Sequence, residues 1–164
     1  MPTRARAILA EGLLAGFIGY ATIVVVIAAG DLLQGRPPFH TAGMLGSLLF
    51  YDVNDPTIVL KPWPGPVLAF NGAHLLVMLL FGTFLTWLVA LAARGPHVWY
   101  LSLVALLFVL LPALGLPLWL PDAVAGGLAP WMVAFATALA VATMGLFLWQ
   151  THRELRASLH APPE

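Results

Sequence analysis

An all-α integral membrane protein with four transmembrane helices is the fold class this sequence predicts, and three observations predict it. Of 164 residues, 61% are hydrophobic and only 9% are charged, against about 45–50% apolar and about 25% charged in an ordinary soluble domain. So few charges cannot coat a water-facing surface, and so apolar a composition excludes a disordered chain. Second, four stretches reach the roughly 20 apolar residues that a helix needs to cross a bilayer core about 30 Å thick. Third, those stretches are continuous and rich in Leu, Ala and Val, which favours helices over the alternating strands of a barrel. Together they make one membrane domain over residues 1–164.

The first span runs from about Ala7 to Ala29 and is expected to stop at Gly30-Asp31. Arg4 and Arg6 ahead of it resemble the start of a signal peptide. The apolar run, however, exceeds the roughly 7–15 residues of a signal peptide's core, and no small-residue cleavage site closes it. The span is therefore expected to stay in the mature protein.

The loop from Asp31 to Gly65, about 35 residues, is too long for a mere connector. Inside it, Thr41–Tyr51 (TAGMLGSLLFY) is apolar but too short to span. Pro37-Pro38 precede it, and Thr41 is placed to cap a short helix. Met44, Leu45, Leu48 and Leu49 share one face, opposite a small edge of Gly43 and Ser47, which predicts an interfacial or re-entrant helix at the outer surface. Asp52–Pro66 then reads as a rigid, proline-laden return.

The second span runs from about Pro66 to Ala93 and is stopped by Arg94-Gly95-Pro96. The third runs from about Val98 to Leu116 and ends among Pro112, Pro117 and Pro121; the short link Arg94–Val98 pairs it with the second as a tight hairpin. The fourth runs from about Pro130 to Trp149. Pro130 suits a first helical position, where its missing N–H costs nothing, and His152–Arg156 reads as a solvated extension. The halves share neither loop lengths nor Gly/Pro breaks, so no internal repeat is indicated.

Orientation follows from Lys and Arg near the span ends. Arg4, Arg6, Arg94, Arg153 and Arg156 fall on one side, against Arg36 and Lys61 on the other, which places both termini in the cytoplasm of a bacterial-type inner membrane. Trp63, Trp119 and Trp131 near the outer ends, and Trp99, Tyr100 and Trp149 near the inner ones, suit the aromatic belts.

Helix association in lipid relies on small residues that let backbones approach. Gly12 and Gly16 form a GxxxG extended by Gly19, and Ala134, Ala138 and Ala142 recur at intervals of four in the last span. These two faces are expected to meet each other or a partner subunit.

Reactive groups are few. The absence of cysteine excludes disulfides, thiolate metal sites and cysteine nucleophiles together. Seven basic residues against seven acidic give no charge excess, so nucleic acid is not an expected partner. Glu11, near the cytoplasmic boundary, is a candidate for intramembrane pairing, with snorkelling as the plainer alternative. Asn71 and His74, three apart on one helical face near the outer end of the second span, suit an interhelical hydrogen bond or a cofactor contact. His40 is the other histidine on that side, and with Asp31, Asp52 and Asp55 it defines a weak His/carboxylate possibility, without metal-ligand spacing. A bis-histidine haem lacks a second ligand at matched depth, because His97, His152 and His160 lie at or beyond the inner boundary. No G-x-S-x-G, H-E-x-x-H, P-loop or dinucleotide-binding glycine pattern occurs.

These features predict no catalysis and no intrinsic cofactor. They predict an accessory subunit of a larger membrane assembly, a respiratory or photosynthetic electron-transfer complex, with lipids and other membrane subunits as partners. Lipid, pigment, haem or quinone at a subunit interface is compatible with that reading. The alternatives are a small haem- or quinone-binding protein using His74 and, because mid-span polar groups are only scattered hydroxyls, lastly a transporter or channel protomer.

Overall fold

A computed structural model of the protein describes residues 2–51, 64–92, 99–119 and 130–151. The described residues form five helices: α1 (Pro2–Leu33), α2 (His40–Tyr51), α3 (Pro64–Ala92), α4 (Trp99–Trp119) and α5 (Pro130–Thr151). Three stretches of them, Ala5–Leu33, Pro64–Leu91 and Trp131–Thr151, are long and apolar enough to cross a membrane. The fold is thus all-helical and compatible with a multi-pass membrane protein in contact with lipid. The expected return over 52–63, both later loops and the extension beyond Thr151 lie outside the described residues.

Gly30-Asp31 does not end the first helix. The helix continues to Leu33 and is stopped by Gly35, whose φ of 70° is a conformation that glycine adopts without Cβ strain. Gly35 N–H donates to the Leu32 carbonyl at 3.0 Å and Arg36 N–H to the Asp31 carbonyl at 2.9 Å, which satisfies two terminal carbonyls. Helix α4 passes Pro112 and Pro117 and ends at Trp119, among the prolines where the sequence puts its end; apolar helices tolerate such prolines within them.

The core is built from α1, α3 and α5: Ala15 and Ile23, then Met78, Leu85 and Val89, then Ala136, Ala140, Met144 and Leu148. Helices α1 and α3 are the closest pair, because a Cβ added at Gly12 would overlap the Thr83 backbone and one at Gly16 the Met78 carbonyl. From α3, Gly82 presses on the backbone of Gly12 and Gly16 in return. The glycine face of α1 therefore meets α3, not the alanines of α5. Gly19 packs on the Met78 and Met144 side chains, and Gly30 packs on Met132. These contacts pair low numbers with high ones, so α1 runs antiparallel to both α3 and α5. Helix α4 joins through Phe108, which stacks on Phe81 at 3.8 Å between ring centroids.

Helix α2 buries only part of its apolar face. Its buried residues are Thr41, Ala42, Leu45, Gly46 and Ser47, with Met44 packed against the Leu45–Val133 cluster, while Leu49, Phe50 and Tyr51 stand exposed. Gly46 lets the backbone settle against the Pro66 carbonyl, at the start of α3, which turns Ser47 inward beside Leu45.

Candidate functional site

A cavity of about 310 Å³ opens where the five helices meet. Helix α1 supplies Ile23, Val24, Ile27 and Ala28 to its wall, and α3 supplies Phe70, Asn71, His74, Val77 and Met78. Thr41, Ala42 and Leu45 of α2, Phe108 and Pro112 of α4, and Val133 and Thr137 of α5 complete it, together with Phe39.

The polar side chains of that wall are Thr41, Asn71, His74 and Thr137, and three of them are engaged elsewhere. Asn71 Oδ1 accepts from the Tyr20 hydroxyl at 3.1 Å, and its Nδ2 donates to the Val67 carbonyl at 2.8 Å. The Thr137 hydroxyl bonds back to the Val133 and Ala134 carbonyls of its own helix. Thr41 donates twice to Asp31, from its N–H at 3.0 Å and from its hydroxyl at 2.6 Å. His74 makes ring contacts instead. Tyr20 lies edge-on to it at 5.6 Å and 70°, and Phe70 lies tilted at 5.7 Å. Among the described residues no hydrogen bond reaches its imidazole.

Asp31 reads in the sequence as an outer-loop acid. It is completely buried in the structure, where it supplies the anionic cap that the N-terminus of α2 needs. The capping group is thus Asp31, not Thr41. Immediately before α2, Phe39 holds a φ of 68°, an uncommon conformation for a bulky side chain and one that tends to mark functional sites.

The sequence candidates are brought together only in part. Asn71 and His74 share the cavity wall, whereas His40 begins α2 half-exposed, outside that wall. Among the described residues no three His, Asp or Glu side chains gather as metal ligands, and Asp31 is engaged by Thr41. Glu11 is half-buried beside Gly12 on α1. On α5, Ala134 is half-buried and Ala138 and Ala142 face outward, because the row that packs inward is Ala136, Ala140 and Met144. Sequence reasoning missed Tyr20, Phe39 and Phe108 as parts of this region, and named Asp31 only as an outer carboxylate near His40, not as the cap of α2.

No family model matches this chain, and neither a curated protein nor a solved structure does.

Proposed function

We propose that the chain is a non-catalytic subunit of a larger membrane assembly, crossing the bilayer four times with both termini cytoplasmic in a bacterial-type inner membrane. The observation that carries this reading is the outward face of α5. Ala138, Ala142 and Gly145 are exposed, and a Cβ added at Gly145 would meet nothing within 4 Å. Small residues are what membrane helices use for close approach, and Gly12, Gly16, Gly19 and Gly30 of α1 are already engaged within the bundle. A helix of another subunit fits the row that α5 leaves open. The mid-span hydroxyls of Thr83, Thr86 and Thr137 bond back to their own helices, which favours packing over a polar conduction path. The kind of assembly we propose is a respiratory or photosynthetic electron-transfer complex, in which the chain covers a cofactor-bearing subunit.

The same geometry supports a reading with four crossings. With α1 antiparallel to α3 and to α5, a further crossing between the end of α3 and the start of α5 would bring the chain back to the side from which α5 begins. Helix α4 has 21 residues for that return, about 30 Å at about 1.5 Å per residue.

The test is recovery of membrane partners in mild detergent. The parent chain is expected to bring other integral membrane proteins with it. Ala138→Phe combined with Ala142→Phe is expected to cut that recovery about tenfold, equivalent to about 1.4 kcal/mol, without unfolding a chain in which both sites face outward. Removing the chain should loosen the assembly while its redox centres remain. Undiminished recovery by the double variant, or a chain that always runs alone, overturns the reading.

A further inference from the structure

We propose that the interhelical cavity binds an uncharged, lipid-soluble ring compound bearing a carbonyl or hydroxyl group, of the quinone class, with His74 as its hydrogen-bonding partner. The volume of about 310 Å³ lies at the small end of ligand pockets, which run about 300–1,000 Å³ and pair apolar walls with a few convergent polar groups. Here the convergence is on one imidazole. Thr41, Asn71 and Thr137 are held by Asp31, Tyr20 and their own helices, which leaves His74 to face an occupant.

An imidazole offers one N–H donor and one acceptor, so it matches either a ring carbonyl or a ring hydroxyl. Tyr20 and Phe70 flank its ring at 5.6 and 5.7 Å and fix its plane. On α4, Pro112 has no N–H, so the Phe108 carbonyl lacks its regular intrahelical donor; both residues line the cavity. Phe39, Phe70 and Phe108 supply aromatic surface for a flat ring.

Among the described residues no charged side chain lines the wall, and an uncompensated charge placed there would be costly. A carboxylate or phosphate head is therefore the wrong ligand. A haem with two axial ligands also fits poorly, since among the described residues His74 is the one imidazole in the lining. A bare acyl chain would fill the space without using His74, and is the competing outcome of the test. Helix α2 closes the chamber with Thr41, Ala42 and Leu45, pinned by the carboxylate of Asp31.

The experiment measures binding of a short-tailed benzoquinone to the full chain in nanodiscs, with the same tail as a plain alcohol for the control. The quinone is expected to bind and to raise the unfolding temperature, and the alcohol to do neither. His74→Leu should weaken quinone binding about tenfold, the scale of one hydrogen bond to a buried partner, and His74→Gln should restore most of it. Val133→Trp, which fills the chamber from α5, should abolish binding while helicity is kept. The proposal is overturned by equal binding of quinone and alcohol, by binding that survives both His74→Leu and Val133→Trp, or by no binding to the folded parent chain.

Discussion

Asp31 sits in the last turn of α1, where the helix dipole presents its negative end and a carboxylate is unfavourable. What reverses the sign is the start of α2, whose free N–H groups and positive end face the same carboxylate. Thr41 supplies both bonds, 3.0 Å from its N–H and 2.6 Å from its hydroxyl. Removing the acceptor leaves two buried donors unsatisfied, so Asp31→Ala is expected to cost about 1–3 kcal/mol. Asp31→Asn keeps a carbonyl oxygen and should cost less, and Thr41→Val should lose only the hydroxyl bond. Unfolding in a denaturing detergent series ranks the three, and an Asp31→Ala chain as stable as its parent would contradict the capping role. None of this is legible locally. The apolar run ends at Ala29, and the residue that hydrogen-bonds Asp31 lies ten positions further on, across a turn that Gly35 eases with its φ of 70°. His74 and Asn71 were legible, because a polar pair three apart inside an apolar helix stands out. Their neighbours Tyr20, Phe39 and Phe108 were not, since each looks like an ordinary aromatic until five helices converge.

Between elements, the governing contact is α1 on α3. Glycines meet there from both sides, Gly12 and Gly16 against Gly82, so the backbones themselves touch. Any side chain at Gly16 or Gly82 must push two helices apart, whereas Gly72 on the same helix faces open space. Gly16→Leu is therefore expected to loosen the α1–α3 pair and lower the unfolding temperature. Gly72→Ala should be neutral or stabilising, by about 0.5–1 kcal/mol from helix propensity alone. Thermal unfolding of the two variants in the same detergent separates packing from propensity, and equal stabilities would refute the close approach. A GxxxG pattern tells that a backbone is approached, but not by which helix. The answering residue is a single glycine in α3, which carries no pattern of its own. Helix α5 illustrates the same limit. Ala134, Ala138 and Ala142 form one row at a spacing of four, and Ala136, Ala140 and Met144 form another two residues away. Sequence spacing ranks the rows equally, and the interior takes the second. The existence and rough extent of the helices were legible because their length is dictated by an apolar solvent, which acts on every residue at once.

At the scale of the whole molecule, the antiparallel register sorts the helix ends. The start of α1, the end of α3 and the end of α5 share one side, and the turn at Gly35 with α2 occupies the other. Arg4 and Arg6 belong to the start of α1 and Arg36 to the turn before α2; in the sequence Arg94 comes after α3, Arg153 and Arg156 after α5, and Lys61 before α3. Membrane insertion tends to retain the Lys/Arg-rich side in the cytoplasm, and the proposed orientation rests on that rule. The chain has no cysteine, and single cysteines can report this directly. Leu33→Cys, at a side chain 90% exposed beside the α1–α2 turn, is expected to react with a membrane-impermeant maleimide in intact cells. Ala5→Cys and Thr151→Cys, both at exposed positions, should react only after the membrane is opened. Reversed labelling would mean that the charge asymmetry does not set the orientation. Labelling of Ala5→Cys and Thr151→Cys from opposite sides would mean an odd number of crossings, which the antiparallel pairing of α1 with α5 forbids, so that result would remove the packed bundle along with the topology.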